Sequence, residues 1–253
     1  MKKDSFSPGE VCWVDCGTDL DKATSFYRDL FGWTIEDMGA EAGGYRMAGK
    51  DGREVAGLGP QQSPGPPFWS VYFRVDDASK AAEVVRASGG TVFVEPMDVI
   101  DAGRMAVFAD PTGAAFSVWQ PKQHQGFGLV EEPGAFCWAE LTTTDVAASK
   151  RFYGEVFGFA AKEGQDPSMP YVEFQLDDKS IGGMMPKPAE MPADIPPFWG
   201  VYFAVADTDG AIAKVGSLGG STVFGPMDVP SVGRFASCVD STGAMFSVIA
   251  MNP

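Results

Sequence analysis

The chain has 253 residues, of which 45% are hydrophobic and 21% are charged, and its formal net charge is −15. This composition predicts a globular protein with room for two domains, and no apolar run approaches the roughly 18 residues of a membrane span. Both halves are acidic, and such a charge repels phosphate backbones and anionic lipids, which argues against a nucleic-acid or membrane partner. Four cysteines and the absence of an apolar leader predict reduced thiols and a cytoplasmic location.

The first sixty residues predict one strand, one helix and three further strands. Residues 11–17 (VCWVDCG) form an apolar run that is typical of a buried strand. The stretch TDLDKATSFYRDLFGW follows, with apolar residues at helical spacing, a cap at Thr18 or Asp19, and a stop at Gly32. Three short strands are predicted after it, separated by glycines and charged turns, at 33–38, 45–49 and 55–59.

A proline-rich connector, residues 60–67, leads into a second unit with the same β-α-β-β-β order. Residues 122–132 lack periodicity and are predicted to link a first domain, residues 1–121, to a second, residues 133–253. The second domain repeats the first, because PPFWSVYFRVDD at 66–77 returns as PPFWGVYFAVAD at 196–207. Four β-α-β-β-β units therefore make up the chain.

Four segments carry a resemblance to a known family: DLDKATSFYRDLFGW (19–33), DVAASKRFYGEVFGF (145–159), VYFRVDD (71–77) and DPTGAAFSVWQP (110–121). They resemble the vicinal oxygen chelate superfamily, which includes glyoxalases, extradiol dioxygenases and bleomycin resistance proteins. The resemblance implies an α+β fold in which four βαβββ modules pair into two domains. Each domain would be a curved mixed sheet forming a cup, with helices outside. Four modules in one chain favour a monomer.

The resemblance also implies three metal-ligand positions in each half, counted from the motifs. They fall on residues of which only the first is of a metal-binding type: Cys12, Ser70 and Ser117 in the first half, and Trp138, Gly200 and Ser247 in the second. The only histidine, His124, lies in the linker and is expected to be solvated. We therefore expect no metal and no cofactor, and we do not expect metal-dependent glyoxalase or dioxygenase activity.

Side-chain alternation predicts which residues line the cups. On the first strand, counting from Asp19 turns Cys12 and Val14 inward, whereas matching the second copy turns Trp13 and Asp15 inward, and we favour the second register. Trp69 and Trp199 are interpreted as core residues. The predicted ligand-binding residues are Trp13, Tyr72, Arg74, Ser117 and Trp119 in the first half, and Trp138, Tyr202, Met245 and Ser247 in the second.

Each predicted cup also holds one carboxylate, Asp15 or Glu140, in a mostly apolar strand. A buried carboxylate is costly unless it is paired, so its presence in both copies needs a reason. One hypothesis is a structural ion pair with Arg104 or Arg234. The other is a general base with a raised pKa.

Two functional hypotheses follow from this lining. The first is a metal-free binding protein for a hydrophobic, aromatic small molecule, used for sequestration, resistance or handling of a biosynthetic intermediate. The second is a cofactor-independent isomerase, cyclase or lyase in which Glu140, Asp15 or Tyr202 performs acid–base catalysis.

Overall fold

In the computed structural model of the protein, residues 1–62, 64–164 and 170–252 are described. The first half contains two helices, α1 (Leu20–Phe31) and α2 (Ala78–Ala87), and a short 3-10 turn at Ala40–Ala42. Its strands are β1 (Val11–Thr18), β2 (Thr34–Asp37), β3 (Arg46–Lys50), β4 (Arg53–Pro60), β5 (Phe68–Arg74), β6 (Thr91–Val99), β7 (Gly103–Ala109) and β8 (Ala115–Pro121).

The second half repeats this order with helices α3 (Val146–Phe157) and α4 (Thr208–Ser217). Its strands are β9 (Phe136–Thr143), β10 (Ala160–Glu163), β11 (Val172–Leu176), β12 (Lys179–Pro186), β13 (Phe198–Ala204), β14 (Ser221–Val229), β15 (Gly233–Val239) and β16 (Met245–Met251). Among the described residues, no helix is both long enough and apolar enough to cross a bilayer.

The helices begin and end where the sequence places caps. The Asp19 carboxylate accepts a hydrogen bond from the backbone N–H of Lys22 at the start of α1, and Asp145 caps α3 in the same way. Gly32 and Gly158 end these two helices in the left-handed conformation, with φ of 72° and 76°. The predicted helix over 20–31 is thus found where its cap and stop signals place it.

Each half is an eight-stranded mixed sheet. The strand order is β2-β3-β4-β1-β5-β8-β7-β6 in the first half and β10-β11-β12-β9-β13-β16-β15-β14 in the second. The two central strands run antiparallel, and each is flanked by a parallel neighbour from its own module. Within the part of the chain that the structure describes, one β-bridge, between Phe198 and Ala115, joins the two sheets. This is the predicted α+β fold of four paired βαβββ modules. We call the concave sheet faces the first cup and the second cup.

The helix-covered backs of the two sheets pack against each other. The Tyr27 hydroxyl, on α1, donates to Asp240 Oδ2 of the second half at 2.8 Å and accepts from the Trp69 indole at 3.0 Å. On the opposite side, the Tyr153 hydroxyl accepts from the Trp199 indole at 2.8 Å. Trp69 and Trp199 are each 5% exposed and lie in this shared aromatic core. The core is therefore built from both halves.

Candidate functional site

The floor of the first cup holds a hydrogen-bonded chain that ends on Asp15. The Tyr72 hydroxyl donates to Asp15 Oδ2 at 2.9 Å, and the Tyr45 hydroxyl donates to the same oxygen at 3.4 Å. The Trp13 indole in turn donates to the Tyr45 hydroxyl at 2.8 Å. Ser70 also hydrogen-bonds the Asp15 carboxylate. The carboxylate is therefore held by hydroxyl groups.

The second cup repeats this chain with a longer acid. The Tyr202 hydroxyl donates to Glu140 Oε1 at 2.8 Å, and the Trp138 indole donates to the Tyr171 hydroxyl at 2.9 Å. Tyr171 also hydrogen-bonds Glu140. Glu140 is the register partner of Gly200 on β13, and Trp138 is the partner of Tyr202. The side chains of Glu140, Trp138 and Tyr202 therefore lie on one face of the sheet.

Tyr45 and Tyr171 are site residues that sequence reasoning missed. Each ring lies over a glycine on the neighbouring strand, because a Cβ at Gly57 would fall 1.7 Å from the Tyr45 hydroxyl and one at Gly183 the same distance from the Tyr171 hydroxyl. The missed signal was in the repeat, since both the tyrosine and the glycine recur with the same offset in the two halves. Glycine is required at both positions to leave room for the ring.

The structure places Trp13 and Asp15, rather than Cys12 and Val14, in the first cup. Trp13 pairs with Tyr72 and Asp15 with Ser70, with a register shift between Val11 and Trp13. Cys12 is fully buried, and its thiol contacts the backbone oxygen of Tyr72 at 3.5 Å. The counterpart of Trp138 is therefore Trp13, and the position counted from the motif, Cys12, was one residue off because the connection from Asp15 to the helix cap Asp19 is one residue shorter than that from Glu140 to Asp145.

The hypothesis that arginines neutralise the two carboxylates is wrong. The Arg104 guanidinium lies 3.5 Å from Asp98, and the Arg234 guanidinium lies 2.8 Å from Asp228 and 3.0 Å from Asp209. These ion pairs lie at the ends of the β6–β7 and β14–β15 hairpins and at the start of α4. Tyrosine hydroxyls take the role that the hypothesis gave to arginine.

The other predicted lining residues are distributed along the cups. Ser117 is the register partner of Tyr72 and hydrogen-bonds it, and Ser247 lies 3.0 Å from Ser237, Oγ to Oγ, beside Tyr202. Trp119 and Arg74 pair at one end of the first cup, where the Arg74 guanidinium lies 2.6 Å from Asp76. Met245 is half-buried at the start of β16, two residues before Ser247.

His124 is not solvated, contrary to the sequence-based expectation. Its imidazole lies edge-on to Trp13, with the ring centroids 4.5 Å apart, and 5.8 Å from the Trp119 ring. Its Nδ1 is 3.1 Å from Glu54 Oε2, its side chain is 14% exposed, and its buried Nε2 has no hydrogen-bond partner among the described residues. The Trp119 indole donates to the His124 backbone oxygen at 2.9 Å. The linker therefore lies across one end of the first cup.

The environment of the carboxylates shifts their titration. Burial raises the pKa of Asp15 to about 6, although hydrogen bonds from Tyr72, Tyr45 and Ser70 oppose the rise. Burial likewise raises the pKa of Glu140. The pKa values of Tyr72 and Tyr202 are also raised, first by burial and then by the neighbouring carboxylate charge. The first cup can thus exchange a proton near pH 6, and burial favours the protonated form of Glu140 in the second cup, with a tyrosine hydroxyl in contact with each carboxylate.

The donor set of neither cup fits a divalent metal ion. The cross-strand row through the first cup offers Asp15, Gly57 and Ser70, with Ser117 nearby, and the row through the second offers Glu140, Gly183 and Gly200. In the described ranges, no three His, Cys, Asp or Glu side chains come together as a potential metal site. One carboxylate that is already bonded by tyrosines is too few ligands for a resident metal.

Comparisons with known proteins place this architecture in a family. Residues 16–118 and 135–248 each match the family model of the Glyoxalase/Bleomycin resistance protein/Dioxygenase superfamily. The chain is 39% identical over 261 residues to the Putative glyoxylase CFP32 of Mycobacterium bovis, covering 100% of this chain and 98% of that protein. It is 36% identical over 265 residues to the Anthracycline biosynthesis protein DnrV of Streptomyces peucetius, covering 97% and 94% respectively.

Solved structures of enzymes share the fold at low identity. The Mn(II)-bound glyoxalase of Novosphingobium aromaticivorans superposes with a TM-score of 0.66 at 17% identity, covering 96% of this chain and 82% of that one. The 2,3-dioxygenase LapB of Pseudomonas sp. KL28 also gives 0.66, at 15% identity, with 98% and 94% covered. Together with the duplicated family match, these results show that the chain belongs to the glyoxalase/bleomycin resistance protein/dioxygenase superfamily.

Proposed function

We propose that the protein binds an aromatic small molecule in a cup without a metal ion and takes part in handling a biosynthetic intermediate. The observation that carries this proposal is the cup floor itself, where indole and phenol rings surround a single carboxylate. Rings supply stacking surface for a flat ligand, and the carboxylate and serine hydroxyls can orient its polar groups. We expect the protein to act as a monomer on a diffusible ligand, with no nucleic-acid or membrane partner.

Two further observations support a binding role. The donor set of each cup in the described residues does not fit a divalent metal ion such as the Mn(II) of the Novosphingobium aromaticivorans glyoxalase. In addition, DnrV and its relative DauV carry anthracycline biosynthesis in their names, and anthracyclines are aromatic small molecules. This relationship agrees with a biosynthetic role for an aromatic ligand.

Ligand-dependent stabilisation tests the binding proposal. A ligand that binds only the folded state increases the free energy of unfolding, by about 2.7 kcal/mol at one hundred times the Kd, and so raises the unfolding temperature. We expect planar polycyclic compounds with phenolic hydroxyls to produce this shift in a thermal-shift screen. Non-aromatic compounds of similar mass are the control set in the same screen. Equal or absent shifts for the two sets would contradict the proposal.

A second candidate function is acid–base catalysis in the same cup. It is favoured by the raised pKa of Asp15, about 6, and that of Glu140, each beside a tyrosine hydroxyl. A carboxylate with a raised pKa can take a proton from a bound carbon or oxygen acid and return it elsewhere. Tyr202 would then hydrogen-bond the developing charge on the substrate.

Glu140→Gln separates the two functions. A catalytic carboxylate predicts that this variant keeps its affinity for the ligand but loses turnover of it by at least about a hundredfold. Asp15→Asn is the matched variant in the first cup. A binding protein shows no turnover in either variant or in the wild type, and ligand conversion followed by mass spectrometry tells these results apart.

A further inference from the structure

The two cups have the same floor but different walls. Both contain a Trp-Tyr-carboxylate-Tyr chain, so the floor alone does not distinguish them. The positions around the floor have diverged, and the constant offset of the repeat allows each to be compared with its counterpart. Four pairs carry the difference: Arg74 and Ala204, Trp119 and Ile249, Met105 and Phe235, and Val94 and Phe224.

In the first cup, large side chains fill one end. The imidazole of His124 and the ring of Phe127 lie 4.5 and 5.3 Å from the Trp13 ring, centroid to centroid. Trp119 closes the same end from β8, and its ring lies so close to Gly103 that a Cβ there would be 2.4 Å from it. As a result, the Trp13 indole is only 4% exposed. The stacking surface of this cup is covered by the chain's own linker.

The second cup keeps its indole accessible. Trp138 is half-buried rather than buried, and no aromatic ring among residues 1–62, 64–164 and 170–252 packs on it as His124 and Phe127 pack on Trp13. The smaller side chains of Ala204 and Ile249 occupy the end that Arg74 and Trp119 fill in the first cup. Part of the Trp138 side chain therefore stays exposed, whereas Trp13 is buried.

The second cup also gains an aromatic wall. The Phe235 ring lies 5.9 Å from the Tyr202 ring on the floor, and the Phe224 ring lies 5.8 Å from Phe235, both measured between centroids. Phe224 is 52% exposed at the sheet edge, so the row of rings runs from the carboxylate out to solvent. The counterparts in the first cup, Met105 and Val94, are aliphatic. Facing serines, Ser237 and Ser247, add hydroxyl groups beside this wall.

We propose that the second cup, and not the first, is the binding site, and that it takes a planar polycyclic aromatic ligand along Tyr202, Phe235 and Phe224. A hydroxyl or N–H at one end of the ligand donates to Glu140, and its flat surface lies against the row of rings. The first cup retains its floor as part of the fold, with its open end occupied by the linker. This assignment deepens the proposed function and depends on it.

Calorimetric titration with 1,4-dihydroxyanthraquinone tests the assignment. We expect one site per chain, and we expect Phe224→Ser and Phe235→Leu each to weaken binding about fivefold to tenfold, the size of one aromatic contact. The matched first-cup variants are Val94→Ser and Met105→Leu. We expect them to leave the Kd within about twofold of the wild-type value, because these side chains lie in the first cup and do not contact a ligand bound in the second. Phe224 and Val94 are both exposed at sheet edges, so the serine variants are not expected to disturb folding.

The outcomes separate the two claims. Two equivalent sites, or equal weakening by the Val94→Ser and Phe224→Ser variants, would overturn the assignment to the second cup while leaving aromatic binding intact. Weakening by Val94→Ser alone would move the site to the first cup. No heat of binding to the wild type, together with no stabilisation by the compound, would overturn the proposed function and this assignment with it.

Discussion

At the scale of single residues, the cup carboxylates show how a polar group is kept in an apolar sheet. Asp15 and Glu140 are each held by tyrosine hydroxyls, which donate hydrogen bonds without bringing a positive charge. A hydroxyl stabilises an ionised acid less than a guanidinium does, so the cost of burial is only partly offset. The pKa of Asp15 therefore rises to about 6 and is not depressed.

The raised pKa of Asp15 makes a stability prediction with a definite sign. Because the folded state binds this proton more tightly than the unfolded state, whose pKa is near 3.8, the contribution of Asp15 to stability falls as the pH rises from about 4 to about 6. Asp15→Asn removes this dependence. We expect the free energy of unfolding of the variant, relative to wild type, to increase over this range by up to about 3 kcal/mol.

Urea unfolding at pH 4.5, 5.5 and 7.5 measures this difference. Glu83→Gln, an exposed position on α2, is the control, and its curve should run parallel to that of the wild type. If the curve of Asp15→Asn also runs parallel to wild type, the carboxylate does not titrate in this window and the burial argument is wrong.

At the scale of secondary-structure elements, the Asp-x-Thr-Gly turns bind each half to a helix of the other. The Asp240 carboxylate accepts three backbone N–H groups and a threonine hydroxyl through Oδ1, and it accepts the Tyr27 hydroxyl through Oδ2. Asp110 caps its own turn in the same way and hydrogen-bonds Tyr153. The DPTG motif that supported the family resemblance thus serves the packing of the two halves.

Replacing Tyr27 tests the importance of this contact. Tyr27→Phe keeps the ring but removes the hydroxyl, which leaves the buried Asp240 Oδ2 and the Trp69 indole without that partner. We expect the free energy of unfolding to fall by about 2–4 kcal/mol, because two buried polar groups lose a hydrogen bond.

Tyr45→Phe is the matched control for this substitution, because its hydroxyl also joins an indole to a carboxylate, but Tyr45 is only half-buried whereas Tyr27 is fully buried. We expect a smaller loss in chemical denaturation. A loss for Tyr27→Phe no greater than that for Tyr45→Phe would show that the helix docks through its rings alone.

The elements themselves could be predicted from the sequence, and the reasons are local. Asp19 and Gly32 mark the ends of α1 by capping chemistry, and the close repeat of residues 66–77 at 196–207 indicated the module order. The cup partners could not be predicted in the same way. The connection from the first strand to the helix cap is one residue shorter in the first half than in the second, which left two registers open for β1. The contacts of Tyr45 and His124 join segments that are far apart in sequence.

At the scale of the whole molecule, the two halves share one hydrophobic core. Phe31 and Trp33 of the first half pack on Phe203 and Phe246 of the second, and Phe73 of the first half packs on Phe157 and Trp199 of the second. These ring contacts cross from one half to the other, so the aromatic core depends on both halves. Unfolding should therefore be a single cooperative event.

Separating the halves tests this shared core. A fragment of residues 1–126 exposes the rings that the second half covers, and we expect it to be aggregation-prone or only partly folded when expressed alone. Co-expression with residues 127–253 is expected to restore a soluble complex with the far-ultraviolet circular dichroism of the intact chain. A cooperative, monomeric melt of the first fragment alone would contradict a shared core.

The location of the reciprocal tyrosine–aspartate contacts behind the sheets has a consequence for divergence after gene duplication. Selection for a folded product acts on the back of the molecule, where each copy needs the other, so neither copy can be discarded. The concave faces contribute less to the packing between the halves. Mutations there can therefore accumulate in one copy while the other remains under selection for ligand binding. A duplicated protein of this design can therefore inherit two scaffolds and specialise only one of them.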